Sequence, residues 1–272
     1  MLDALSLGFF QNALLAGLLA AIACGVIGSL VVVNRLTFLA GGVAHAAYGG
    51  VGLAFFLALP VLPCAVGFTL GAAMLMGVIT QKRGERADSV IGVLWAAGMA
   101  VGILLMDMTP GYNVDLMSYL FGSILTVPRS DVYLMAGLDL AVLAAAFFCY
   151  KDFLAMSYDP EYARTCGVPV GMLHYALLAM VAVSVVMIIQ VVGLILVIAL
   201  LTIPPMLAEH HAKSLAGMML FASLWAALFC LVGLGLSYAF DLTSGATIIA
   251  VATVCFFADI LWHRLVPHRA HS

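Results

Sequence analysis

Charge is what this chain has least of. Only 8% of its 272 residues are charged, ten basic and thirteen acidic, against 65% apolar. Soluble domains carry about 25% charged residues, so these few cannot solvate the surface of a water-soluble protein of 28.6 kDa. A soluble enzyme is excluded. Cysteine is sparse too. Cys24, Cys64, Cys149, Cys166, Cys230 and Cys255 stand singly with no CxxC pair, which excludes a disulfide scaffold or a thiolate metal cluster and leaves small apolar packers. A formal net charge of −3 gives no basic surface for nucleic acid. Catalytic signatures are missing as well. There is no GxxxxGK[ST] to bind ATP, no HExxH zinc helix and no GxSxG nucleophile elbow. These absences push the function towards transport.

What the chain does have is apolar runs, at 13–33, 36–59, 61–80, 90–107, 131–150, 172–190, 191–206, 215–238 and 245–263. Each approaches the roughly 20 residues a membrane span needs. They lack the period-2 alternation of barrel strands, and backbone in lipid must satisfy itself, so they are helices. The expectation is an all-α integral membrane protein: a polytopic helical bundle of about nine transmembrane helices in one domain over residues 1–272. Residues 117–127 are too few to span and predict a short re-entrant or interfacial helix. The first residues lack the basic start of a secretory signal.

Basic residues orient the bundle. Nine spans with the N-terminus outside put every Lys and Arg except Arg129 in the cytoplasm, together with the C-terminus. The stretch 175–203 is long for one helix and short for two. One span there would send Lys213, Arg264 and Arg269 outside, so two spans with a tight turn near Gln190–Gly193 are expected. On this topology Asp3, Asp107, Asp115, Asp131 and Asp241 lie near the outer face. An acidic mouth of that kind attracts cations, although acidic residues are also simply tolerated there.

Polar groups inside the spans carry the next inference. His45 sits mid-run in FLAGGVAHAAYGGVGLAF, with Gly41 and Gly49 at i−4 and i+4 and Gly52 at i+7. Small residues at this spacing let helices approach closely, so His45 faces protein or a water-filled path. It is a metal ligand or a structural histidine bonded to a neighbouring helix; both readings fit the residues. Asp139, His174 and Asp259 are explained by snorkelling or interhelical hydrogen bonds. Glu209-His210-His211 reads as a solvated loop, because adjacent helical residues point in different directions.

The longest polar stretch between spans is the loop 151–171. Within it Asp159 can cap a short helix, Pro160 takes its first position and Glu161 complements the positive end of the dipole. Gly167 ends the helix and Pro169 prevents its continuation. Seven residues are unstable as an isolated helix. Such strong punctuation points to a helix that docks on a cytoplasmic partner.

Five segments in this order resemble the membrane permease of bacterial ABC-type importers for zinc, manganese and related divalent metals. They are Arg35-Leu-Thr-Phe-Leu leading to Ala44-His45-Ala46, and Val114-Asp115 through Gly122. Asp159 through Val168, Gln190 through Pro204, and Ser237 through Gly245 complete the set. The resemblance implies a homodimer, two cytoplasmic P-loop ATPase subunits and an extracytoplasmic metal-binding protein, in a bacterial cell membrane. It implies no catalytic residue and no resident cofactor in this chain, only a transported metal. It makes the 160s helix the coupling helix, with Asp159, Glu161, Ala163 and Gly167 at the matching positions. It implies that His45, Asp115 and Asp241 mark the metal route. Where many relatives have Asp about three residues before the His, this chain has Gly42. A His with few carboxylates suits zinc, with manganese or iron as alternatives. Rival readings are an ABC permease for iron-siderophore or corrinoid cargo and an ion-coupled secondary transporter, for which the segments show no repeat symmetry.

Overall fold

The structure is a computed structural model that describes residues 8–83, 87–109 and 127–265. Eleven helices run through the described residues. They are α1 (Gly8–Val33), α2 (Thr37–Phe56), α3 (Val61–Arg83), α4 (Ala87–Asp107), α5 (Arg129–Phe148), α6 (Tyr150–Tyr158), α7 (Pro160–Thr165), α8 (Val170–Val192), α9 (Leu194–Glu209), α10 (Leu215–Phe240) and α11 (Ser244–Leu265). Eight of them are long and apolar enough to cross a membrane. Each coincides with one of the runs read from sequence. The expected re-entrant helix at 117–127 and Asp115 fall outside the described residues, apart from the buried Val127.

The ninth run differs in length. As α9 it has 16 residues, about 24 Å at 1.5 Å per residue, short of a hydrocarbon core of about 30 Å. The expected turn near 190–193 is a break at one residue, Gly193, whose φ of 85° and ψ of 163° only glycine adopts without strain. Two helices are therefore present over 175–203, the second of them shorter than the expected full span.

Burial separates centre from periphery. The most apolar stretches of α1, α2 and α8 are 72%, 78% and 67% buried, against 22–33% for α3, α4, α5, α10 and α11. Lipid offers no hydrophobic drive for helices to associate, so close approach depends on small residues. A Cβ at Gly25 of α1 would fall on the backbone of Ser223 in α10, and one at Gly28 would lie 2.6 Å from the Leu201 carbonyl of α9. Pro205 has no N–H to return to that carbonyl. Gly28 is what lets α1 approach there.

The 151–171 loop holds more structure than the sequence indicated. Residues 150–158 form α6, with Phe153 and Met156 buried beneath it. Its charged Lys151 and Asp152 hid that i, i+3 apolar pair. The short helix beyond is six residues rather than seven.

Candidate functional site

The site begins with how α2 meets α4. A Cβ on Gly98 would sit 2.9 Å from Ala46 Cα, and one on Gly49 would sit 3.0 Å from the Gly98 carbonyl. One turn further on, Gly52 faces the backbone of Gly102, where a Cβ would reach Gly102 Cα at 2.7 Å. The two helices are therefore in backbone contact over a full turn. The small-residue row seen in the sequence of α2 is completed by Gly98 and Gly102 of α4.

That contact brings two rings together. His45 is stacked on Trp95, ring centroids 4.0 Å apart and planes 15° from parallel. The indole is itself held: its Nε1 donates to Met99 Sδ at 3.2 Å, and Phe38 packs at 6.2 Å with its ring tilted by 55°. His45 is half-buried, and its Nδ1 is buried without a hydrogen-bond partner. The structural alternative from sequence, a histidine bonded to a neighbouring helix, takes the form of stacking, with no hydrogen bond at Nδ1. Trp95 is a residue the sequence reading missed. Its signal was present, since Gly98 and Gly102 lie at i+3 and i+7 from it, on the same helical face.

The missing acidic residue has a structural counterpart. Gly42 faces Ile91 and Met76, and a Cβ there would lie 2.5 Å from Ile91 Cγ2. An Asp at 42 would have to displace both. Next to the rings lies an apolar cavity of about 390 Å³ between α2, α3 and α4, lined by Ala46, Phe68, Leu94 and Gly98 among others. It presents no charged or imidazole ligand.

Asp241 is exposed and stands just past the end of α10, in the left-handed region with φ of 53°. Its N–H donates to the Ser237 carbonyl, and the Ser237 hydroxyl donates to Leu242 O at 2.6 Å. α10 packs on α1, α9 and α11, whereas α2 packs on α3, α4, α8 and α9. No group of three or more His, Cys, Asp or Glu among the described residues is arranged to hold a metal ion. His45 is the one candidate ligand that the described structure places inside the bundle beside a matched aromatic.

Other polar groups resolve individually. Asp259 of α11 pairs with His210 at 3.0 Å, an interhelical bond of the kind expected. His211 Nδ1 lies 3.1 Å from Leu207 O. Asp139 does not snorkel: it is 4% exposed near the middle of α5, with Oδ2 unpartnered. His174 is packed edge-on to Tyr175, its Nε2 buried and unpartnered. All six cysteines are free, and Cys24 and Cys230 are buried packers.

The short helix α7 has the punctuation expected. Asp159 Oδ1 accepts from Glu161 N at 3.0 Å and Tyr162 N at 2.9 Å, and Pro160 occupies the first turn. Gly167 has φ of +83°, and Val168 N returns to the Ala163 carbonyl at 3.0 Å. Ala163 is buried at 1% exposure, while Glu161, Tyr162 and Arg164 are exposed. A hydrogen bond with the Cys166 thiol pushes the Tyr162 phenol above its ordinary pKa. Between α6, the end of α1 and the α9–α10 turn, a cavity of about 200 Å³ is lined by Ser157, Tyr158, Glu209, Lys213 and Ser214 among others.

This arrangement has close relatives. An uncharacterized membrane protein of Synechocystis is 51% identical over 264 residues, covering 97% of this chain and 94% of its own. A manganese transport system membrane protein of Listeria innocua is 33% identical, over 94% of this chain and 91% of its own. The PsaBC complex of Streptococcus pneumoniae, solved with a Fab, contains a chain that superposes with a TM-score of 0.87 at 29% identity, over 99% of this chain and 96% of that one. The profile of the ABC 3 transport family matches residues 6–263. With almost the whole chain matched, and the helix order and the punctuated α7 both present, this protein belongs to the ABC 3 transport family.

Proposed function

We propose that the chain is the permease of an ATP-driven importer that moves a divalent transition-metal ion into the cytoplasm. The observation that carries this reading is His45, an imidazole with an unpartnered ring nitrogen, held mid-bundle on a rigid glycine crossing. An intramembrane ionisable residue marks an ion path by default, and neutral imidazole is a common transition-metal ligand. A single imidazole is also a sparse site, and conduction needs ligands weak enough to release their ion.

The working complex is a homodimer of this chain with two cytoplasmic P-loop ATPases and an extracytoplasmic metal-binding protein, in a bacterial cell membrane. The N-terminus lies outside and the C-terminus inside. Metal enters past Asp115 and Asp241 and meets His45 near the dimer axis. Nucleotide-driven movement of the ATPases reaches the bundle through α7. There Asp159 and Gly167 fix the helix ends, Ala163 seats it on the permease, and Glu161 faces the ATPase.

Manganese is the metal this reading favours, because relatives of Listeria, Halalkalibacterium halodurans and Streptococcus parasanguinis are named manganese systems, while those of Chlamydia are named only for metal transport. The donor set favours zinc as the second reading: one imidazole, with Gly42 in place of a carboxylate. Reconstituted complex with ATPase and binding protein decides both points. Mn²⁺ uptake that is lost in His45→Ala, with assembly and basal ATP hydrolysis retained, is the expected result. Uptake unchanged in that variant removes His45 from the route. Uptake of Zn²⁺ that excess Mn²⁺ does not compete away would select zinc.

A further inference from the structure

A metal-binding histidine is normally held in place through its second nitrogen. The N–H not used for the metal donates to a carboxylate, carbonyl or water, which fixes both the tautomer and the plane of the ring. No carboxylate or carbonyl among the described residues fills that role at His45 Nδ1, which is buried and has no protein hydrogen-bond partner. Something else must hold the ring. The indole of Trp95 lies against its face at 4.0 Å and 15°.

We infer that Trp95 is the positioning residue for His45, doing through its ring face what an orienting hydrogen bond does elsewhere. This rests on the proposal that His45 is a ligand of the transported metal. Three features on α4 support the role. The indole cannot swing freely, since Nε1 is tied to Met99 Sδ and Phe38 packs against it. The two helices cannot drift apart without opening the Ala46–Gly98 contact, one residue from His45 and three from Trp95. The stacked indole covers only the face of the imidazole, whereas a ligand bond to imidazole lies in the ring plane. Stacking therefore fixes direction without occupying a donor. The substrate class implied is a bare or partly hydrated divalent transition ion approaching edge-on to the imidazole.

The test uses the reconstituted complex with Mn²⁺ as the probe. Loss of an outer-sphere orienting partner costs about 10–100-fold in metal affinity. Trp95→Leu should accordingly raise the KM for Mn²⁺ by about tenfold with kcat little changed, and Trp95→Phe, which keeps a ring face, should restore most of it. The chain has three tryptophans. In a Trp225→Phe/Trp262→Phe background Trp95 is the only tryptophan left in this chain, so Mn²⁺ binding at the adjacent imidazole of the purified permease should quench its emission, and His45→Ala should remove the quench. A KM for Trp95→Leu that stays near the native value while His45→Ala abolishes uptake overturns the positioning role and leaves the metal route standing. Failure of Trp95→Phe to restore the KM overturns it as well. Native uptake in His45→Ala overturns the route and this inference together. If Trp95→Leu does not assemble, the native indole decides: emission indifferent to Mn²⁺ overturns the inference.

Discussion

Asn34 at the end of α1 donates through Nδ2 to Ser157 Oγ at 2.9 Å, joining residues 123 positions apart in sequence. Ser157 lies in α6, two residues before the cap of α7, and its own hydroxyl donates to the Phe153 carbonyl. Asn34 lies three residues before α2, the helix of His45, and also donates to Leu30 O. A movement of α6 or of the adjoining α7 is thus one hydrogen bond from the turn that leads to α2 and the proposed ion path.

Asn34→Ala should therefore weaken the connection more than it weakens the fold. A neutral hydrogen bond of this kind contributes about 0.5–1.5 kcal/mol. Thermal unfolding of the two single variants and of Asn34→Ala/Ser157→Ala gives the pairwise part by a double-mutant cycle. The expected functional outcome is ATP hydrolysis that responds less to the binding protein. A fully stimulated ATPase in the double variant would show that force reaches α2 elsewhere.

The cap of α7 can be tested by rescue. Asp159→Ala leaves two N–H groups without an acceptor, at a cost of about 0.5–2 kcal/mol to a helix end. A six-residue helix has little to set against that loss. Uptake and stimulated ATP hydrolysis should fall together, and Asp159→Asn, another good capping residue, should recover both. Glu161→Arg should release or uncouple the ATPase without moving the melting temperature. Normal stimulated turnover in that variant would defeat the assignment of α7 as the coupling element.

Two glycines make an internal control for the α2–α4 crossing. A Cβ at Gly102 would fall within 3.0 Å of the backbone of Tyr48 and Gly49, whereas one at Gly71 meets nothing within 4 Å. Gly102→Val should lower the melting temperature, overpacking of this kind costing about 1–3 kcal/mol. It should also separate the rings of His45 and Trp95 and reduce Mn²⁺ uptake. Gly71→Ala should be neutral or slightly stabilising, by up to about 1 kcal/mol, because it removes backbone freedom from a helix interior. Equal effects at the two positions would mean that the crossing is not held by backbone contact.

Orientation is open to direct labelling. Single cysteines introduced at Lys213 and at Asp241, in a background without the exposed Cys166, should react with an impermeant maleimide from opposite sides of the membrane. Lys213→Cys labelled from outside would invert the proposed topology.

Helix positions were legible in the sequence because lipid enforces a single pattern, and runs such as 90–107 and 215–238 differ from α4 and α10 by only a few residues. The caps of α7 were legible for a local reason, since Asp159, Pro160 and Gly167 act within a turn of their own backbone. Relations set by tertiary contact were not. Trp95 is one of many apolar residues in α4 until Gly98 and Gly102 bring it to α2. Asp139 resembled a snorkelling carboxylate because its burial is decided by α1 and not by its own helix. α6 was concealed by Lys151, which stands on the exposed face opposite Phe153 and Met156, and by Asp152 at the border of the buried face.

The single-residue junction at Gly193 bears on how the molecule is made. α8 and α9 share one glycine, yet α1 and α2 pack against both of them. A ribosome delivers α1 and α2 well before the later pair, so the middle of the bundle enters the bilayer first and waits. Arrival of the Gly193 pair then completes that packing in one event. Replacing Gly193 with a β-branched residue, for which φ of 85° with ψ of 163° is strained, should therefore disturb the seating of α8 and α9 together and lower the yield of assembled protein.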